Sequence, residues 1–252
     1  MGLIVELKNI WKTFNGISAL DKVNMGIGEG EIFALFGPSG SGKTSLLKSI
    51  ALIENPTNGE VYYNREKVTE KNVQQTRMQA TMVFQKTVVF DAKVYKNIAY
   101  GLRLRRMPEN QIKKEAKGAL RLVGLKGFEK RAAKNLSGGE QQRVALARAL
   151  KTKLVLLDEP TANLDPKNAS IIEDIIGSVN RMSKTTFVMA THNIFQARTL
   201  LHRIALQQNG AIKETGTPLL KFFRVSQELL RASQTWKTLL LVTRTRPLTA
   251  QL

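Results

Sequence analysis

The chain of 252 residues contains no cysteine. That excludes disulfides, thiolate metal sites and a cysteine nucleophile. Its two histidines, His192 and His202, are too few for a histidine-rich metal site. No stretch approaches the roughly 20 apolar residues that a membrane-spanning helix needs, and the late run Leu239 to Val242 is far too short. A basic N-terminal region followed by an apolar core and a small-residue cleavage site is missing, so no signal peptide is expected and the chain should stay in the cytoplasm. Internal repeats and low-complexity linkers are absent too. Hydrophobic residues at 42% and charged residues at 23% are ordinary globular usage, which argues against disorder and collagen-like structure. The length allows one large domain or two small ones with a proper core.

Acidic residues are scarce. Thirty-nine Lys and Arg stand against 20 Asp and Glu, a net charge of +19. Nucleic acid, an anionic membrane surface and polyanionic small molecules are all candidate partners, and a solvated basic surface is equally compatible.

Residues 3 to 7, 17 to 27 and 31 to 36 read as strands. Gly37 to Lys43 is rich in glycine, and Thr44 to Leu52 has helical spacing. Residues 92 to 123 are mostly helical in pattern and strongly basic, with Pro108 starting a helix and Glu109 in its first turn. Further helices are expected over 138 to 150 and 165 to 179, and buried strands over 153 to 157 and 185 to 190. Strands alternating with helices predict an α/β fold with a mainly parallel sheet. The block from about 88 to 150 reads as a helical insertion without strands. Residues 221 to 252 are amphipathic, then basic and rich in threonine.

Gly37-Pro38-Ser39-Gly40-Ser41-Gly42-Lys43-Thr44 fits G-x-x-x-x-G-K-[ST]. The glycines let the backbone turn and aim its N–H groups at one point. The following helix adds its positive N-terminal end. Lys43 can reach β- and γ-phosphates, and the Thr44 hydroxyl can coordinate Mg²⁺. Leu154 to Leu157 ends in Asp158-Glu159. Strand carboxyl ends in a parallel sheet gather beside such a loop, so Asp158 can hold Mg²⁺ and Glu159 can orient or deprotonate an attacking water. Two acids capping a strand end would look the same in isolation. Ser137, followed by Gly138-Gly139-Glu140, reads both as an anion site at a helix start and as an ordinary capping box.

Leu136-Ser137-Gly138-Gly139-Glu140-Gln141-Gln142-Arg143 resembles the signature sequence of ATP-binding cassette proteins, the nucleotide-binding subunits of ABC transporters. The order of motifs agrees: phosphate loop, Gln85, signature, Asp158-Glu159, Asn163-Leu164-Asp165 and His192, covering residues 3 to about 220. The resemblance implies a P-loop NTPase core with an N-terminal antiparallel β region and a helical subdomain, forming an ATPase domain over 1–220 with no regulatory domain beyond it. It implies ATP and Mg²⁺, the metal held by Thr44, Gln85 and Asp158. Glu159, His192 and Gln85 become the catalytic set. Gly37 to Thr44, Ser45, Ser137, Gly138, Gly139, Gln141 and Asp165 become the nucleotide contacts, with Phe14 stacking on adenine in preference to Trp11. Asp usually follows the family's histidine, and this chain has Asn193 there.

The same resemblance implies a head-to-tail dimer of two copies, because one chain offers two phosphate-binding helix ends for one nucleotide. It further implies separate permease subunits docking near Thr87-Val88-Val89-Phe90, a separate solute-binding protein, residence on the inner face of the cell membrane, and no nucleic acid. Val83-Phe84-Gln85, Val94 to Leu102 and Thr191-His192-Asn193 look like importer subunits for tungstate or phosphate. A soluble cassette acting on nucleic acid or ribosomes is the competing expectation, given the charge.

Overall fold

The computed structural model describes residues 2–192 and 200–218. Asn193 and the C-terminal stretch 221–252 lie outside them. Two sheets organise the chain. The first is antiparallel, ordered β2-β1-β4-β5, from β1 (Leu3–Phe14), β2 (Ile17–Gly28), β4 (Asn58–Tyr63) and β5 (Glu66–Lys67). Asn15 (φ 47°) and Gly16 (φ 81°) join β1 to β2. A two-residue loop with both φ positive is the turn whose twist suits a hairpin.

The second sheet is ordered β10-β9-β3-β8-β7-β6, from β3 (Ile32–Phe36), β6 (Ala80–Val83), β7 (Leu154–Asp158), β8 (Thr186–Thr191), β9 (Arg203–Gln208) and β10 (Ala211–Gly216). All neighbours are parallel except β10, which turns back on β9. The central strands β3, β7 and β8 are buried throughout and mostly apolar because both faces are covered. One face carries Ala34, Phe36, Val155, Leu157, Phe187 and Met189 against α3 (Val94–Leu104), α4 (Glu109–Leu122), α5 (Gly138–Ala149) and α6 (Pro166–Ser183). The other carries Phe33, Leu35, Leu154, Leu156, Val188 and Ala190 against α1 (Lys43–Ile50) and the antiparallel sheet. Alternate residues of one strand thus feed two cores.

Several expected boundaries move. The strand expected over 3 to 7 continues to Phe14, because irregular pairing around Asn9 (φ 50°) disturbs its alternation without ending it. The helical stretch 92 to 123 divides into α3 and α4. Arg106 adopts φ 56°, and Pro108 caps α4 with Glu109 in the first turn, as expected. The block from 88 to 150 is not wholly free of β pairing, since Lys93 and Ala132 form an isolated antiparallel bridge. β4, β5, β9, β10 and the short α2 (Val73–Arg77) have no counterpart in the sequence reading.

Candidate functional site

Five parallel strands end along one edge, in the spatial order β9, β3, β8, β7, β6. Four of them lead into expected site residues. β3 runs from Phe36 into Gly37, β8 into His192, β7 ends at Asp158 before Glu159, and β6 leads to Gln85. The phosphate loop leaves the middle of the sheet, where β9 and β8 flank β3. Such a point is where open α/β sheets leave a crevice for ligands.

The loop is shaped by close packing behind it. A Cβ on Gly37 would stand 2.1 Å from the Gln207 carbonyl, and one on Gly42 2.3 Å from the Ala19 carbonyl. Gly42 also caps α1 at φ 95°. Gly40 has φ 78° but open space around it. Gly37→Ala and Gly42→Ala are therefore expected to destabilise the protein by about 2 kcal/mol or more, and Gly40→Ala by about 1 kcal/mol. Urea denaturation checks the order, and equal losses at all three positions would reject this packing account.

Lys43 is buried at the start of α1. Its Nζ donates to the carbonyls of Gly37 and Pro38, each at 2.9 Å. Burial pulls its pKa below the ordinary value, while the charges of Glu159 and Asp158 push it back up. Both hydrogen-bond partners are neutral, and among the described residues no carboxylate is bonded to the ammonium.

The Thr44 hydroxyl donates to Asp158, 2.9 Å from Oδ2 and 3.2 Å from Oδ1. Asp158 is buried, and burial raises its pKa, with Glu159 beside it adding to the rise and the Thr44 hydrogen bond opposing. A hydroxyl beside an under-compensated buried carboxylate forms a pair of hard oxygen donors of the kind Mg²⁺ takes, with further positions left for water and phosphate oxygens. Among the described residues no group of three or more His, Cys, Asp or Glu could hold a metal without such help.

Glu159 is half-buried and sits in the left-handed region, φ 46°. Its N–H donates to Ala190 at 2.9 Å, which ties it to β8. Its carboxylate joins two other expected residues: Gln85 Nε2 donates to Oε2 at 3.0 Å, and His192 Nδ1 lies 3.1 Å from Oε1. Residues 74 positions before and 33 positions after Glu159 thus meet on its carboxylate.

The remaining expected residues lie apart from this cluster. Ser137 caps α5 in a full capping box: its N–H donates to Glu140 at 2.8 Å and its Oγ accepts from the Glu140 N–H at 3.4 Å. Gly138 is exposed, whereas Gly139 is buried against the Asn168 amide. Gln141 turns back to donate to the Leu136 carbonyl at 2.9 Å. Asp165 caps α6 and accepts from the Asn168 N–H at 3.0 Å and from Asn168 Nδ2 at 2.6 Å. None of these side chains is hydrogen-bonded to the phosphate loop among the described residues. One chain therefore presents two separate helix starts. Phe14 and Trp11 are both exposed rather than core residues, and the Lys12 ammonium lies 4.9 Å from the Phe14 ring centroid.

Sequence reasoning missed Gln207, which backs Gly37 and Gly42, and Asn168, which holds Asp165 and accepts from Arg143 at 3.2 Å. It also assigned no role to Gln142, which is buried. Gln207 and Gln142 matter through partners distant in sequence, so no local signal marks them, whereas Asn168 stands three residues after Asp165, within the first turn of the helix that Asp165 caps.

The family model described as ABC transporter matches residues 20–162, and a model described as an AAA domain matches residues 130–195. The spermidine/putrescine import ATP-binding protein PotA of Clostridium novyi (strain NT) is 39% identical over 218 residues, which is 85% of this chain and 62% of that protein. The Fe(3+) ions import ATP-binding protein FbpC of Escherichia coli (strain K12) is 37% identical over 217 residues, again 85% and 62%. The chain thus spans less than two thirds of the length of these curated relatives. Among solved structures, cbiO1 from Clostridium perfringens, part of the ABC transporter complex cbiONQ, superposes with a TM-score of 0.81 at 28% identity, covering 92% of this chain and 94% of that one. A dimer of the ATP-binding cassette MJ0796 in a post-hydrolysis state, bound to ADP and Pi, superposes with a TM-score of 0.77 at 33% identity over 85% of this chain and 98% of that one. The family model takes in more than half of the 252 residues, from the β2 hairpin past the phosphate loop, the signature helix and the paired acids, and the chain belongs to the ABC transporter family.

Proposed function

We propose that this chain is the ATP-hydrolysing subunit of an ABC importer, converting ATP and water to ADP and phosphate and working with separate permease subunits. The observation that carries the reading is the meeting of Gln85, Glu159 and His192 beside Lys43, Thr44 and Asp158. Lys43 and the loop N–H groups would hold the β- and γ-phosphates, with Ser45 next along α1. Thr44, Asp158 and Gln85 would hold Mg²⁺, which when bound neutralises phosphate charge. Glu159 orients the attacking water and takes its proton. Gln85 and His192 fix the carboxylate from either side and face the γ-phosphate. Phe14 offers a ring face to adenine, and such stacking is worth about 1–3 kcal/mol in nucleic-acid complexes.

The separate helix start at Ser137 to Gln141, with Asp165, supports a head-to-tail pair of copies, each closing over the other's nucleotide. The named dimer with ADP and Pi is consistent with that arrangement. ATP then bridges two chains, and hydrolysis releases them, so that differential binding of ATP and ADP does the mechanical work. Residues 88–150 act as the helical subdomain that meets the permease. Val88, Phe90, Tyr100 and Leu104 are exposed, and Phe90 packs edge-on to Tyr100 at 4.9 Å. An apolar patch of this kind suits a permease helix. No helix among the described residues is long and apolar enough to cross a membrane. The subunit would therefore sit on the inner face of the cell membrane through its permease, with a solute-binding protein as a further, indirect partner.

The solute we put forward is tungstate or a related oxyanion, on the motif likenesses around Gln85, Val94 to Leu102 and His192. The names of the relatives favour a second reading, a polyamine or ferric iron. The experiment is to purify the chain with whatever membrane complex it brings and measure ATPase stimulation by tungstate, spermidine and Fe³⁺ presented on the binding protein. Stimulation by tungstate is expected. Stimulation by spermidine or iron instead would overturn the oxyanion assignment. Steeply salt-dependent binding to RNA or DNA, with no permease present, would replace the importer reading with a nucleic-acid one.

A further inference from the structure

The signature helix α5 buries Val144, Ala145, Leu146 and Ala147, and among them it buries Gln142. A primary amide taken out of water is costly unless both its ends are paired. Gln142 pairs both, and its partners belong to two other segments. Its Oε1 accepts from the Thr87 hydroxyl, and its Nε2 donates to the Pro160 carbonyl at 3.2 Å. Thr87 lies two residues after Gln85, and Pro160 directly follows Glu159.

These contacts close a ring. Gln85 donates to Glu159 on one side, and Gln142 joins the segments carrying those two residues on the other, through the Thr87 hydroxyl and the Pro160 carbonyl. Glu159 needs such support. A non-glycine residue at φ 46° is held there against its own preference. Its N–H is anchored to β8 through Ala190, and the Pro160 carbonyl is the matching anchor on the exit side. Gln142 stands five residues into the chain from Ser137, within the same rigid helix, so about 7 to 8 Å of helix axis separates the cap from the clasp. A shift of the helix start is then felt by both Gln85 and Glu159.

We propose that Gln142 is a positioning residue for hydrolysis, tying the water-handling pair Gln85 and Glu159 to the signature helix. It acts through Thr87 and Pro160 and not on the reacting atoms, and the inference rests on the catalytic reading of Glu159 given above. Displacing a reacting group by about 1 Å can cost on the order of 100-fold in rate. The effect belongs in kcat, because among the described residues the clasp's side-chain hydrogen bonds run to Thr87 and Pro160 and not to the phosphate loop.

The test compares Gln142→Met, which keeps volume and removes both hydrogen bonds, with Thr87→Val, which removes one. Both are made in the full chain. Gln142→Met is expected to lower kcat by about tenfold or more while nucleotide Kd stays as in wild type. Thr87→Val should lower kcat by less, and the double variant should be no worse than Gln142→Met alone. Unchanged kcat in both variants, or kcat and melting temperature falling together while Kd rises, overturns the proposal in favour of a packing role. Should Gln142→Met fail to fold, Thr87→Val decides: kcat reduced at unchanged Kd supports the clasp, and wild-type kcat removes it. An inert Glu159→Gln variant beside an active wild type upholds the parent reading whatever Gln142 does, so the two failures are told apart.

Discussion

Glu159→Gln is expected to cut ATP turnover by about 100-fold or more while nucleotide remains bound, since a well-placed general base contributes about 10² to 10⁴ in rate. The substitution is nearly isosteric. A glutamine at this position can still accept from Gln85 and sit beside His192, which now lie 3.0 and 3.1 Å from the two carboxylate oxygens. What it cannot do is take a proton from water. Lys43, Thr44 and Asp158 are untouched, so ATP binding persists and only its consumption stops. A bridging nucleotide that is never cleaved should hold two chains together. Two measurements check this, phosphate release at saturating ATP and the elution volume of the protein with ATP and Mg²⁺. Slow release with accumulation of dimer is the expected pair. Turnover at the wild-type rate would remove Glu159 from the catalytic role, and slow release without a dimer would remove the sandwich.

That cluster shows which parts of the site can be read from a sequence. The phosphate loop is legible because its parts are consecutive. The glycines, lysine and threonine of Gly37 to Thr44 are spaced within one octapeptide, and the strand and helix on either side are local patterns. The capping box of Ser137 and Glu140 is legible for the same reason, and the structure forms it in full. Glu159 is different. Its neighbours in sequence say that a strand ends in two acids, but its hydrogen-bond partners lie 74 residues before it and 33 residues after it. Motif resemblance brought those three together where spacing alone left them as separate strand ends.

Gln207 and Gln142 show the limit. Gln207 meets Gly37 through its carbonyl and Gly42 through its side-chain amide, two glycines 165 or more residues upstream, so nothing near it in sequence signals the role. A signal for the hairpin that carries it did exist. Asn209 and Gly210, at φ 49° and 78°, repeat the turn chemistry of Asn15 and Gly16 between two strands. β10 hides its identity because its residues are mixed in burial, with Lys213 and Glu214 among them, as befits an edge strand. Gln142 was in plain view inside the signature, but a buried amide betrays itself only when its two partners are placed.

Lys43→Ala is the counterpart of the first experiment, striking binding and not consumption. Among the described residues the ammonium hydrogen-bonds to two neutral carbonyls and to no carboxylate. A charge-assisted hydrogen bond to phosphate is worth about 1.5–3 kcal/mol, so its loss should weaken nucleotide binding by about 10- to 150-fold and abolish it at ordinary working concentrations. The nucleotide-free fold should not suffer comparably, because burial disfavours the charge that is being removed. pH separates the two effects. The Lys43 pKa is lowered from 10.5. Between the lowered value and 10.5 the unfolded chain binds more of this proton than the folded one, so the residue's contribution to stability rises with pH in that window. Nucleotide affinity must move the other way there, falling as the ammonium loses its proton. The difference between wild type and Lys43→Ala, followed by denaturation and by nucleotide titration over the same pH range, should therefore show slopes of opposite sign. Parallel slopes, or normal nucleotide binding by the variant at any pH, would undo the assignment of Lys43 to the phosphates and with it the phosphate loop.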